Sequence, residues 1–266
     1  MTHLPNAPLI YTLGLVRFPV IPGMERFVPA YHDAVRGDYP HRYDLVLQQM
    51  QVEFGSNGVN LRQIPLTVWQ FSSPDRKWAF VLSSDALTLH TIAYEDNQTF
   101  VEKFRYGLSK LVAVPEIGIA WTNSVAMRYL DLVATKEDEG LDRLLKPSVL
   151  PPPFTDVADL NIVEGVYIAQ YKAPKAAVRF QILRNPMAVL PPDLNTPLIQ
   201  FNNWRFERPN TEFAVVDTDC STPITEATPM DVGIVCNHMY DLRFVAKSIF
   251  EKIGTEYAEK LWKGEA

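Results

Sequence analysis

Three short apolar stretches follow one another almost without pause, at residues 66–71 (LTVWQF), 77–82 (KWAFVL) and 86–93 (ALTLHTIA). Each is rich in β-branched and aromatic residues, which suit a pleated, half-buried surface. The gaps between them hold Ser72-Ser73-Pro74-Asp75 and Ser83-Ser84-Asp85, residue types that build tight turns. Strands joined so closely form an antiparallel meander. That commits the first half of the chain to an antiparallel sheet, on which its neighbours have to pack.

The neighbours fit. Residues 9–18 (LIYTLGLVRF) read as a strand stopped by Pro19, and Pro22-Gly23 marks a turn. A helix is expected from Met24 to about Val35, with Phe27, Ala30, Tyr31 and Ala34 on one face; Pro29 means that it starts later or kinks. Residues 41–65 show weak periodicity around the turn signal Gly55-Ser56-Asn57-Gly58. After the meander, Phe100, Phe104, Leu108, Leu111 and Val112 predict a helix over 97–112 with its apolar side against something flat. A long strand follows over 117–133, with a bend or bulge expected near Asn123 because so many residues exceed an ordinary strand.

Proline supplies the punctuation, at 21 of 266 residues, about 8% against a usual level of about 5%. Residues 147–156, with three consecutive prolines at 151–153, read as a semi-rigid joint between a half at 1–146 and a half at 157–266. Beyond it a hairpin is expected from 165–171 and 177–183, then a proline-broken excursion over 185–210 and a strand over 212–217. Thr228-Pro229-Met230-Asp231 predicts the start of a long C-terminal helix with Thr228 as its cap, broken at Gly254. The class is therefore α+β: antiparallel sheets with helices packed on one face. Each half gives a few strands and then a helix, and a remote internal duplication is one account of that pattern.

A net charge of −6 and dispersed basic residues argue against nucleic acid as the partner. No apolar run reaches the length of a membrane span, and the first residues lack the pattern of a signal peptide. Cys220 and Cys236 read as reduced thiols of a cytoplasmic protein. The five histidines make no metal-ligand spacing, and there is no nucleophile elbow or phosphate-cradling glycine turn, so no metal and no cofactor are expected. Asp217 and Asp219 fall on one face near a strand end and read as structural acids. Arg128 is the outstanding polar residue, since alternation places it among Ala126, Leu130 and Leu132 and opposite Tyr129. A guanidinium among apolar neighbours needs an acid from elsewhere, in the fold or in a ligand.

Several of these segments resemble a sporadically distributed bacterial family of uncharacterised proteins of about the same length. The matching residues are Ala7-Pro8-Leu9-Ile10, Tyr39-Pro40, Met127-Arg128-Tyr129-Leu130, Val215-Val216-Asp217-Thr218-Asp219 and the C-terminal helix with Phe250. The chain departs from that family's pattern in having Ala126 where glycine is common and in its many prolines. The resemblance brings no catalytic residues. It implies a bacterial setting among mobile or conflict-related genes, such as immunity, antitoxin or phage-defence components.

Two functions are expected from these features. The first is a non-catalytic, cytoplasmic, protein-binding role, with Trp204, Arg205 and Phe206 of the excursion as interface candidates, because tryptophan and arginine anchor interfaces. The partner is another protein, a second copy of the chain included, and neither nucleic acid nor a membrane. The second is a small-ligand binder or an enzyme with a cavity between sheet and helices, into which Arg128, Tyr129, Asp217 and Asp219 converge.

Overall fold

The computed structural model of the chain describes residues 5–55, 58–151, 162–191, 193–194, 206–223 and 227–265, with the main chain alone for 48–55 and 58–64. The elements in order are β1 (Leu9–Arg17), α1 (Val28–Val35), β2 (His41–Gly55), β3 (Gly58–Ser72), β4 (Trp78–Leu82), β5 (Ala86–Thr91), α2 (Asn97–Val112), β6 (Trp121–Thr122) and β7 (Ser124–Ala134). They continue with β8 (Gly165–Ala173), β9 (Ala176–Arg184), β10 (Phe213–Ser221), β11 (Thr228–Pro229), α3 (Val232–Ile253) and α4 (Glu256–Lys263). Among the described residues nine strands form one antiparallel sheet in the order β2-β3-β4-β5-β1-β7-β10-β9-β8. The α+β class, the meander and the long C-terminal helix all follow the sequence pattern.

The connectivity repeats. From β1 the chain passes through α1 and a meander whose last strand, β5, returns beside β1 and leads into α2. From β7 it passes through a second meander whose last strand, β10, returns beside β7, and α3 follows. The two units meet where β1 pairs antiparallel with β7, from Leu9 opposite Asp131 to Arg17 opposite Ser124. Strands from both sides of the proline-rich joint therefore share one sheet. Within that joint Pro147–Val149 is a turn of 3-10 helix, and residues 152–161 lie outside the described part.

The helices cover one face of the sheet. Asp96 caps α2 by accepting a hydrogen bond from the Thr99 amide at 2.7 Å. Phe100, Phe104, Leu108 and Leu111 are then fully buried, at about 1.5–3 kcal/mol of burial for each. They meet Val16, Phe71, Phe80, Leu82, Leu87, Leu89 and Met127 from the sheet. Gly107 lets α2 approach this closely, because a Cβ there would lie 2.1 Å from the Phe80 ring. Trp69, Phe71, Trp78 and Phe80 are all buried core residues.

Several expected boundaries move, each for a local reason. Helix α1 begins at Val28, which puts Pro29 in its first turn, where a missing amide costs nothing. The strand over 117–133 breaks at Asn123: β6 leaves the main sheet there to pair with β11. Thr228 does not cap α3, because Thr228–Pro229 is taken up in that pairing; Asp231 caps it, accepting from the Ile234 amide at 2.9 Å. The late strand extends through Ser221, so Asp217 and Asp219 lie inside it and not at its end. The weakly periodic stretch at 41–65 is most of a long hairpin, β2–β3. It pairs with β4 only over Trp69–Ser72, so the main chain of 45–68 continues as a two-stranded ribbon past its neighbour.

Candidate functional site

Strand alternation sorts the polar residues onto opposite faces. Leu13, Leu15 and Arg17 of β1, Thr88 and His90 of β5, Ser124, Ala126 and Arg128 of β7, and Asp217, Asp219 and Ser221 of β10 share the face away from the helices. Part of that face is covered by the chain between β9 and β10, whose Val189, Leu190, Leu194 and Phe206 pack on Ile10, Tyr11, Leu130, Val215 and Phe213. The rest is open.

Arg128 stands at the border between the covered and the open parts, with its side chain 10% exposed. Its Nε donates to Asp217 Oδ1 at 2.8 Å and its Nη2 to Asp217 Oδ2 at 2.7 Å, a two-point grip on a carboxylate that is itself 2% exposed. Nη1 donates to Asp193 Oδ2 at 2.5 Å and Nη2 to Asp193 Oδ1 at 3.2 Å. Gln181 of β9 adds a donor to Asp217 Oδ2. The acid that the sequence required for Arg128 is thus supplied by the fold, twice over. Asp217 is diagonal to Arg128 across the strands, whereas Asp219 is directly opposite it in register. The Asp219 carboxylate makes no hydrogen bond or ion pair among the described residues, although Arg179 of β9 lies opposite it on the other side. Burial pushes its pKa above the ordinary carboxylate range, with the Asp217 and Asp193 charges adding to the rise and Arg128 and Arg179 opposing it.

Between this cluster and the open part of the sheet lies a half-open cavity of about 450 Å³. Leu13, Leu15, Val81, Ala126 and Leu194 give it an apolar lining, and Thr88, Ser124, Ser221, Asp193, Asp219 and Arg128 are among its polar groups. Arg17, at one end, is engaged with Asp85 at 2.7 Å. His90 faces the same space. Its Nδ1 lies 2.8 Å from the Tyr11 hydroxyl, and burial lowers its pKa to about 3, so the ring is neutral.

The structure separates the four ligand candidates from the sequence. Arg128, Asp217 and Asp219 meet on the open face, but Tyr129 points to the helix side, beneath the Arg243 guanidinium and 6.1 Å from the Tyr94 ring. The cavity is also on the face opposite the one expected: between sheet and helices the core is packed with large side chains. Asp131, on Tyr129's side, is buried and its carboxyl pKa rises to about 7, chiefly by desolvation, with Arg243 opposing the shift and Asp217 adding to it. Trp204 and Arg205 lie outside the described residues. Phe206 is half-buried and packs over the sheet. Cys220 and Cys236 are free and buried, and burial pushes the Cys220 thiol up to about 12.

Leu13, Leu15, Thr88, Ser124, Asp193 and Ser221 were not distinguishable in the sequence. The small residues Ser124, Ala126 and Ser221, adjacent on the same face of neighbouring strands, carry the one signal of open space. Among the described residues no cluster of three His, Cys, Asp or Glu could hold a metal, and no helix is long and apolar enough to cross a membrane. Comparison with protein-family models, with curated proteins and with solved structures finds no match to the chain. The family resemblance accordingly rests on its short motifs alone.

Replacing Arg128 by Met leaves the Asp217 carboxylate buried without its cation, an error worth about 3–5 kcal/mol. The double variant Arg128→Met/Asp217→Leu removes both charges and should be the more stable of the two in urea denaturation; equal stabilities would show that the pair does not anchor this face. Asp131 tests the other side of the sheet. Its raised pKa means that the folded state keeps a proton which the unfolded chain releases, so stability falls as pH rises from about 4 to about 7. Asp131→Asn should therefore stabilise the protein by about 1–3 kcal/mol at pH 8, with the gain fading toward pH 4 in thermal melts.

Proposed function

We propose that this chain is a non-catalytic binding protein that receives a small amphipathic molecule in the cavity on the open sheet face. The observation that carries this reading is the cavity itself, about 450 Å³ with an apolar lining and a few convergent polar groups, since ligand sites are built that way and fall between about 300 and 1,000 Å³. The non-catalytic part is supported by the state of His90: a ring that stays neutral down to about pH 3 and is tied to Tyr11 is poorly matched to proton transfer near neutrality. The test uses the neutral fluorophore N-phenyl-1-naphthylamine. The parent protein should bind it saturably, and Ala126→Trp, which fills the cavity from its lining, should weaken binding at least tenfold while keeping the parent circular dichroism. Absence of saturable binding by the parent would remove the reading; undiminished binding by the variant would move the site elsewhere.

A protein partner is a second reading, favoured by the outer edge of the sheet. Strand β8 has no outward neighbour among the described residues, and Val166, Ile168 and Tyr171 on it are exposed. Long regular edges of this kind accept an added strand. Laid antiparallel on itself about Ala169, the segment sets Tyr167 against Tyr171 and Ile168 against Gln170, with Glu164 diagonal to Lys172. The occupant that this pattern fits is a second copy of the chain. Light scattering should show a dimer that Ile168→Lys dissociates at least tenfold more readily; a parent that is monomeric at every concentration rejects the reading.

A further inference from the structure

The charges around the cavity do not balance evenly, and the imbalance is local. Among the described residues four carboxylates, Asp85, Asp193, Asp217 and Asp219, stand near three guanidiniums, Arg17, Arg128 and Arg179. Arg17 is spent on Asp85, and Arg128 is shared between Asp217 and Asp193. Arg179 is exposed on the strand beyond Asp219 and makes no ion pair with it. Among the described residues two carboxylates face the cavity: Asp193, which is bonded to Arg128, and Asp219, whose side chain is not bonded to Arg128 or Arg179; hydroxyls at Ser124, Ser221 and Thr88 and an aliphatic lining lie beside them.

That set of groups is selective by sign. Among the described groups an anionic ligand would have to displace an acid from Arg128 or Arg17, and so strand a carboxylate that the fold already buries or pairs. A neutral ligand finds apolar contact but leaves Asp219 carrying the cost of its desolvation. A cation gives Asp219 a partner that no described side chain provides, and a carboxylate–ammonium contact in a partly enclosed recess is stronger than the same contact on the open surface. The aliphatic lining fits a hydrocarbon body attached to that cation.

We infer that the ligand class of this cavity is an organic amine, its ammonium group bound by Asp219 and its apolar body lying along Leu13, Leu15, Val81 and Ala126. This rests on the cavity being a ligand site, as proposed above, and adds the chemistry that it selects.

The experiment sets n-hexylammonium, 1-hexanol and hexanoate against N-phenyl-1-naphthylamine at pH 7.5, in the parent and in Asp219→Asn. In the parent, n-hexylammonium should displace the fluorophore at a concentration at least tenfold lower than either of the others. In Asp219→Asn that preference should disappear while hexanol displaces as before. Hexanol or hexanoate equalling the amine in the parent overturns the inference and leaves the cavity as a ligand site of other chemistry. Preference for the amine persisting in Asp219→Asn also overturns it, since another group would then hold the cation. Failure of all three to compete rejects it as well, whereas failure of the fluorophore itself to bind is the separate failure of the site. Should Asp219→Asn not fold, the ranking of the three compounds on the parent protein still decides.

Discussion

A guanidinium placed in the interior of a sheet has to be neutralised, and meeting that demand organises the open face. Arg128 belongs to β7, Asp217 to β10, and Asp193 to the chain that passes between β9 and β10. Gln181 brings β9 into the same network. The interaction therefore ties two central strands to each other and pins the covering segment onto the sheet at one point. Burying an ion pair is not by itself a strong source of stability, because desolvation offsets much of the attraction. What it confers is placement: an unpaired Arg128 or Asp217 is so costly that alternative seatings of the segment are excluded.

That placement divides the sheet's two faces into different kinds of surface. The helix side is filled by aromatic and aliphatic side chains with little room for change, as the contact of Gly107 with Phe80 illustrates. On the other side Leu194 is among the residues that border the cavity, and the small residues Ser124, Ala126 and Ser221 leave space beside it. The pairing choice of Arg128 then matters chemically. By reaching diagonally to Asp217 it makes no ion pair with Asp219, its direct neighbour in register.

Much of the fold was legible because local rules and tertiary packing agree. The helix over 97–112 has its boundaries written by Asp96 and by a regular apolar stripe, and it appears with those limits. Alternation also placed Arg128 and Tyr129 on opposite faces correctly. Where two local signals competed, the sequence was ambiguous: Thr228 and Asp231 are both good caps, and only the distant strand β6 decides between them. Of the hairpin over 41–72 only the strand at 66–71 was legible, because alternation is strongest where a neighbouring strand and a core impose a buried face, and the stretch at 45–65 runs past β4. The site was the least legible part. Asp217 is 89 residues from Arg128 and Asp193 is 65 away, and no spacing rule reaches that far. The open face is a property of four strands in register, visible only once they are aligned.

Strand β1 precedes the other strands of the sheet in the chain and ends in the middle of it. Its neighbour β5 follows within the same half, so β2-β3-β4-β5-β1 can assemble with α1 and α2 before β7 exists. During that interval the whole of β1 is a bare edge. The helices shield a face of the nascent sheet but cannot occupy the hydrogen-bonding groups along its side. Nothing in LIYTLGLV carries a charge, and only Arg17 at its far end opposes sideways association. The hazard lasts until β7 is synthesised and zips alongside, a step that joins segments distant in the chain and is correspondingly slow. The vulnerability of this protein to misassembly is thus a matter of timing in translation, concentrated in a strand that the finished molecule conceals.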